Sequence, residues 1–164
     1  MTAPEVDAAK ALLKKGRSSE AIRILQQAEA RSPKDAEVLL ELAAIYSFLG
    51  MPAMAVEYER RVTKIDARLP EVWNAMGADL HRLGDLTQSA VAYRRALDLN
   101  PGLATAAYNL ARVAAQQGDR KEASEALKRA VALKPDLAEE ARREETLAKL
   151  LDENGLRKRP RGRS

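Results

Sequence analysis

Cysteine is absent from the 164-residue chain and histidine occurs once. The first absence removes disulfides, thiolate metal sites and cysteine nucleophiles together. The second leaves His81 without a companion of its own kind for acid–base work. A single histidine at a surface position is far more often a hydrogen-bonding residue than a catalytic base. Aromatic residues are scarce at 4 %, and the basic C-terminal stretch has none on which a base could stack. No glycine-rich phosphate loop and no metal-spaced set of His, Asp and Glu can be found. Converging nucleophile, acid and base are therefore missing, and an enzyme is not expected. No cofactor is implied either. No apolar run approaches the roughly 18 residues of a membrane span. The opening stretch from Met1 to Asp7 has neither the basic nor the apolar part of a secretory leader. The expectation is a soluble, cytoplasmic protein.

The chain does have enough hydrophobic residues, 46 %, to bury a core without staples. It is rich in Ala, Leu, Glu, Arg and Lys, which lose little side-chain freedom in a helix, so an all-α fold is predicted. The formal charge is +4. Five cations and no acid lie after Gly155, at Arg157, Lys158, Arg159, Arg161 and Arg163, so the rest of the chain has a net charge of −1.

Glycines recur at Gly16, Gly50, Gly84 and Gly118, each 34 residues after the last. That coincidence has odds on the order of one in ten thousand. Other columns keep the same step. Small residues stand at Ala9, Ala43, Gly77 and Ala111, and at Ala21, Ala55, Ser89 and Ala123. A third column holds Ala28, Val62, Ala96 and Ala130. Larger apolar residues fill Leu12, Tyr46 and Leu80, and Pro33, Pro101 and Pro135 close three of the four units. On both sides of each glycine, apolar residues return every three or four positions, the period of two amphipathic helices joined by a turn. Glycine supplies the positive φ that ends the first helix. Small residues let neighbouring helices approach closely.

Trp73, Gly77, Gly84-Asp85, Tyr93, Ala96-Leu97 and Asn100-Pro101 together resemble a consensus unit of the tetratricopeptide-repeat (TPR) family. The resemblance implies a right-handed superhelical solenoid of four helix-turn-helix repeats with a C-terminal capping helix. The repeats are expected at 2–35, 36–69, 70–103 and 104–137, roughly five-sixths of the chain. A capping helix is expected at 138–155, where Leu137, Ala141, Leu147, Leu150 and Leu151 form an apolar stripe that would close the open end. A basic, disordered tail is expected at 156–164. The second unit is the least regular. It has Met51-Pro52 in its turn, Ala67 where its neighbours have proline, and Glu59 in the column of Leu25, Tyr93 and Leu127.

In the TPR family the first helix of each hairpin lines a concave groove that receives a segment of a partner protein. Carried over by register, that groove would include Lys10, Leu40, Ala44, Phe48, Asn74, His81, Arg82, Tyr108 and Arg112. An acidic-amphipathic segment would suit it, with apolar residues on Leu40 and Phe48 and carboxylates on Arg82 and Arg112. Phe48 and Tyr108 would be its anchors. The carboxylate clamp of co-chaperone TPR domains is absent, since its positions hold Val6 and Lys10, then Glu41, then Asn74 and Ala78. The expected function is a protein-binding adaptor or scaffold. The alternatives are self-assembly through end repeats, or attraction of the tail to nucleic acid or an anionic membrane. Light scattering of the pure protein separates the first two: an adaptor stays monomeric and a self-assembling scaffold grows with concentration. If the tail acts electrostatically, a chain ending at Gly155 loses RNA retention, and salt abolishes retention by the full chain.

Overall fold

The computed structural model describes residues 4–155; the five tail cations lie outside the described residues. Ten α-helices make up the described chain: α1 (Pro4–Lys14), α2 (Ser18–Arg31), α3 (Ala36–Phe48), α4 (Pro52–Ile65), α5 (Pro70–Arg82), α6 (Leu86–Leu99), α7 (Ala104–Gln117), α8 (Arg120–Leu133), α9 (Leu137–Ala141) and α10 (Glu145–Glu153). There is no strand among them. They fall into two compact units, one ending at Asp85 with α1–α5 and one beginning at Leu86 with α6–α10.

The 34-residue period is a period of backbone geometry. Gly16, Gly50, Gly84 and Gly118 all have φ between 72° and 79°, and no non-glycine described residue has a positive φ. Each glycine turns the chain just after the first helix of a pair. The second helix starts two residues later, and Asp119 caps α8 by accepting from Glu122 N at 2.9 Å. Asp35 does the same for α3, accepting from Glu37 N at 3.0 Å and Val38 N at 3.3 Å. Pro4, Pro52 and Pro70 each open a helix, where a missing N–H leaves no bond unmade.

In the first unit α1 packs on α2, α3 on α4, and α2 and α4 on the helices that follow them. The contacts are small-residue contacts: Ala9, Ala21, Ala43 and Ala55 are all buried. Leu25, Leu39, Leu42 and Val62 fill the space between them. Polar groups tie the first hairpin to the second. Tyr58, whose ring stacks on Tyr46 of the same hairpin with centroids 5.6 Å apart, donates from its Oη to Glu29 of α2 at 3.1 Å. Arg61 binds the same carboxylate while lying over the Tyr58 ring at 5.1 Å. The irregular second hairpin is intact.

In the second unit α7 packs on α8 and α6, around Ala107, Ala111, Ala114, Ala123, Leu127 and Ala130. The segment expected as one capping helix is two. Leu137, Ala138 and Ala141 are buried from α9, and Leu147, Leu150 and Leu151 from α10. The step of six from Ala141 to Leu147 breaks the helical period, and an unbroken helix would turn Glu144, Glu145 and Ala148 inward instead. Extended backbone at Glu144 (φ −108°, ψ 115°) resets the phase. α10 then lies on α7 and α8, with Ser124 Oγ 2.8 Å from Asn154 Oδ1. Asn154 and Gly155 (φ 65°) close it.

Nothing lies within 4 Å of a Cβ built on Gly118, so Gly118→Ala tests backbone conformation alone. The expected loss is about 1 kcal/mol of stability in urea unfolding, the cost of left-handed backbone for a residue with a Cβ.

Candidate functional site

Three of the nine residues expected in the groove meet at one pocket of the first unit. Leu40, Ala43, Ala44, Ser47 and Phe48 of α3 form one wall, and Glu71, Val72 and Ala75 of α5 the other; Glu59 of α4 closes the floor. The cavity holds about 430 Å³. Leu40, Ala44 and Phe48 stand one α-helical turn apart in sequence, so they share one face of α3. Phe48 is 82 % exposed. An aromatic ring that far into water beside an apolar hollow gains nothing from its own fold and is suited to close on something else.

The floor is the least ordinary part. Glu59 occupies a column whose other members, Leu25, Tyr93 and Leu127, are all buried, and it is itself only 3 % exposed. Asp79 of α5, 1 % exposed, faces it. One repeat before and after Asp79 stand Ile45 and Val113, both buried. Two carboxyl groups have thus replaced two apolar residues in the same spot. Asp79 is met by Arg82, and Ser47 Oγ lies 3.2 Å from Asp79 Oδ1. Arg82 also donates to Ser47 O at 3.0 Å and to its Oγ at 2.6 Å. Burial, with the Asp79 charge and hydrogen bond beside it, pushes Glu59 up to about 8, against the partial pull of Arg82. At neutral pH Glu59 is therefore mostly protonated and bound to Asp79, which lets two acids share a dry site with one guanidinium. Glu59 Oε2 and Asp79 Oδ2 are buried and meet no donor from any other residue, so the proton that the two acids share is what satisfies the pair.

The other expected groove residues are placed differently. Lys10 pairs with Glu41 at 3.7 Å. Asn74 has its Oδ1 buried and unpartnered, and His81 is half-buried. In the second unit Tyr108 is buried. Its Oη donates to Glu144 Oε1 at 3.1 Å, and Arg112 Nε donates to Glu144 Oε2 at 3.1 Å. Burial and the Glu144 charge push the Tyr108 hydroxyl up to about 12. Tyr108 is thus not an exposed anchor: it locks the cap. The two guanidiniums expected to receive a partner's carboxylates, Arg82 and Arg112, are held by carboxylates of the chain itself. Sequence reasoning flagged Glu59 as irregular but missed Asp79, although the same 34-residue step puts it in line with Ile45 and Val113. Among the described residues no group of three or more His, Asp or Glu could hold a metal ion.

The tetratricopeptide-repeat family matches residues 12–78 and again residues 68–136. The chain is a tetratricopeptide-repeat protein. Among curated proteins this TPR chain is 30 % identical over 111 residues to a peroxisomal targeting signal receptor of Kluyveromyces lactis, covering 68 % of the chain and 20 % of the receptor. It therefore spans about one fifth of that relative. Among solved structures, MamA is similar at 25 % identity with a TM-score of 0.82, covering 91 % of this chain and 85 % of MamA. The pilF protein of Pseudomonas aeruginosa shares the fold at 21 % identity and a TM-score of 0.74, with coverage of 93 % and 68 %.

The buried acid of this TPR protein gives a signed pH dependence. Folded Glu59 keeps its proton up to about pH 8, whereas an unfolded glutamate releases it near 4.3. Between those values the unfolded state binds fewer protons, so this group makes stability fall as pH rises and adds no further slope above the upper value. Glu59→Leu restores the column residue. The variant is expected to unfold at higher urea than the parent at about pH 8, with a difference that shrinks toward about pH 5. Urea midpoints measured across that range check it.

Proposed function

We propose that this TPR protein is a non-catalytic adaptor of the cytoplasm that holds a segment of a partner protein on the faces of its first helices, with the α3–α5 pocket as a principal contact. The observation that carries this reading is the exposed Phe48 ring beside an open apolar hollow. Leu40, Ala44, Val72 and Ala75 offer a concave apolar surface, and a partner's apolar side chain would remove both that surface and the ring from water. The family supports the class of function, since protein binding is what its repeats provide. No described helix is long and apolar enough to cross a membrane, which is compatible with the proposed location.

The acidic-amphipathic partner suggested by register has little support. Arg82 and Arg112 already carry internal carboxylates, whereas the pocket is lined by Glu59 and Glu71 and by no cation. A partner that is apolar with basic residues fits better.

Affinity capture from the source lysate tests the adaptor reading with three baits: the intact protein, Phe48→Ala, and Leu133→Ala, an exposed apolar residue at the end of α8. A protein kept by the intact and Leu133→Ala baits and reduced roughly tenfold by Phe48→Ala is the expected outcome, the loss that follows when an anchor side chain is truncated. Equal capture by all three removes the α3 face from the function. Recovery of the chain itself, with light scattering that rises with concentration, would replace the adaptor with a self-assembling scaffold.

A further inference from the structure

The turn that joins α3 to α4 is apolar in a way the fold does not require. From Ser47 to Val56 ten residues pass without an acid or a base. The same positions include Lys14, Lys15, Arg17 and Glu20 in the first repeat, and Asp119, Arg120, Lys121 and Glu122 in the fourth. Each of these turns has the same left-handed glycine, so charge is compatible with the geometry. In the second repeat the side chains are hydrocarbon and in water: Phe48 is 82 % exposed, Leu49 41 % and Met51 45 %.

Neighbouring turns of the first unit extend this edge. Leu83, also exposed, stands one repeat after Leu49, and Arg82 donates to Ser47 O and Oγ, which holds the end of α5 beside the end of α3. On the other side Lys10 meets Glu41, so α1 runs beside α3 and ends on the same edge with Lys14 and Lys15. Both lysines are exposed, and neither makes an ion pair with a described residue. Arg17 is balanced by Glu20 and Arg82 by Asp79, and Asp85 is the other acid of the edge. The result is an apolar tip flanked by two unpaired ammoniums. Leu49, Met51 and Leu83 do not line the α3–α5 pocket, so a partner segment seated there leaves them in water.

We propose that this edge of the first unit rests on an anionic lipid bilayer, with Leu49, Met51 and Leu83 entering between the acyl chains and Lys14 and Lys15 reaching the phosphates. A bilayer offers hydrocarbon beneath a layer of negative charge, which is the pairing this edge presents in reverse. A folded protein partner would need a hollow shaped for the tip and carboxylates set for the lysines, whereas the bilayer supplies both over its whole surface. Lysine stems are long enough to keep their ammoniums at the phosphates while the tip goes deeper. The turn can also leave water at little cost to its backbone. Leu49 N donates to Ile45 O, Gly50 N to Ser47 O and Met51 N to Tyr46 O, and Pro52 has no N–H. The inference goes beyond the adaptor reading.

The full chain is sedimented with vesicles of phosphatidylcholine, alone and with ~30 mol % phosphatidylserine. Binding to the anionic vesicles that weakens with added salt is expected. Leu49→Gln/Met51→Gln should weaken it roughly tenfold, and Lys14→Gln/Lys15→Gln should do the same on anionic vesicles, by roughly tenfold. Urea unfolding of both variants confirms that each is folded when tested. Met51→Trp, read against the emission of the parent's single Trp73, should shift to the blue on vesicles and be quenched by lipid brominated in its acyl chains. No binding to anionic vesicles, or a Met51→Trp that lipid does not quench, overturns the proposal. Equal binding by Leu49→Gln/Met51→Gln overturns it too, and assigns the attraction to the five cations after Gly155. Partner capture that depends on Phe48 needs no lipid. If capture succeeds and vesicles are ignored, the adaptor reading stands and the bilayer inference falls; if vesicles bind as expected and capture ignores Phe48, the reverse holds.

Discussion

Everything in this protein depends on how closely its helices approach one another. A helix pair linked by a turn of two or three residues has no room for large side chains where the two axes are nearest, and at those places the pairs within each unit have buried alanine. Close approach multiplies van der Waals contact along the whole helix. It also fixes the register of each hairpin, because only one alignment sets small residues opposite one another. The positive-φ glycines are the covalent counterpart of that constraint. They end the first helix at the residue from which the second can fold straight back. In a chain with so few aromatic residues the core is assembled from many small contacts, so the position of each small residue matters more than the size of any large one.

That dependence explains how much of the fold was legible. A constraint repeated every 34 residues is written four times, and reading Gly16, Gly50, Gly84 and Gly118 in phase was enough to place the hairpins. The C-terminal segment is written once. Its apolar stripe was visible, but the six-residue step between Ala141 and Leu147 could be read as an imperfect single helix. The break is a matter of backbone at Glu144, whose carboxylate reaches back to Tyr108 and Arg112, a contact that no period announces. The same limit applied to the groove. Register selects the face a residue occupies and says nothing of whether its side chain is already engaged. Tyr108 and Phe48 both lie on first helices, one held under Glu144 and the other in water. Neither sequence pattern nor period distinguishes them, since the difference comes from a carboxylate 36 residues away.

The polar residues divide by the same physics. Arg61 with Glu29 and Arg112 with Glu144 join one hairpin to the next element, each assisted by a tyrosine hydroxyl. Both tyrosines, Tyr58 and Tyr108, are pushed up to about 12 by burial and by the glutamate each one binds, so neither hydroxyl ionises in any ordinary buffer. These triads are partly exposed, and each adds geometry more than energy, because half-buried ion pairs recover little beyond their desolvation. Each holds helices of one unit at a fixed spacing while the small-residue contacts supply cohesion.

Glu59 and Asp79 do not belong to that class. They too link the second hairpin to the next helix, but out of water, and the neighbouring repeats use apolar residues in both places without loss of the fold. A carboxyl group that remains protonated to about pH 8 in the floor of an open cavity is a group whose charge can be changed by what enters. Where a repeat protein departs from its own column in two facing positions at once, the two departures support each other: Glu59 is held by Asp79, and Asp79 by Arg82 and Ser47. The repeat that fits the pattern least is thus the one that presents a pocket with a carboxyl group in its floor, between α3, α4 and α5 of the first unit.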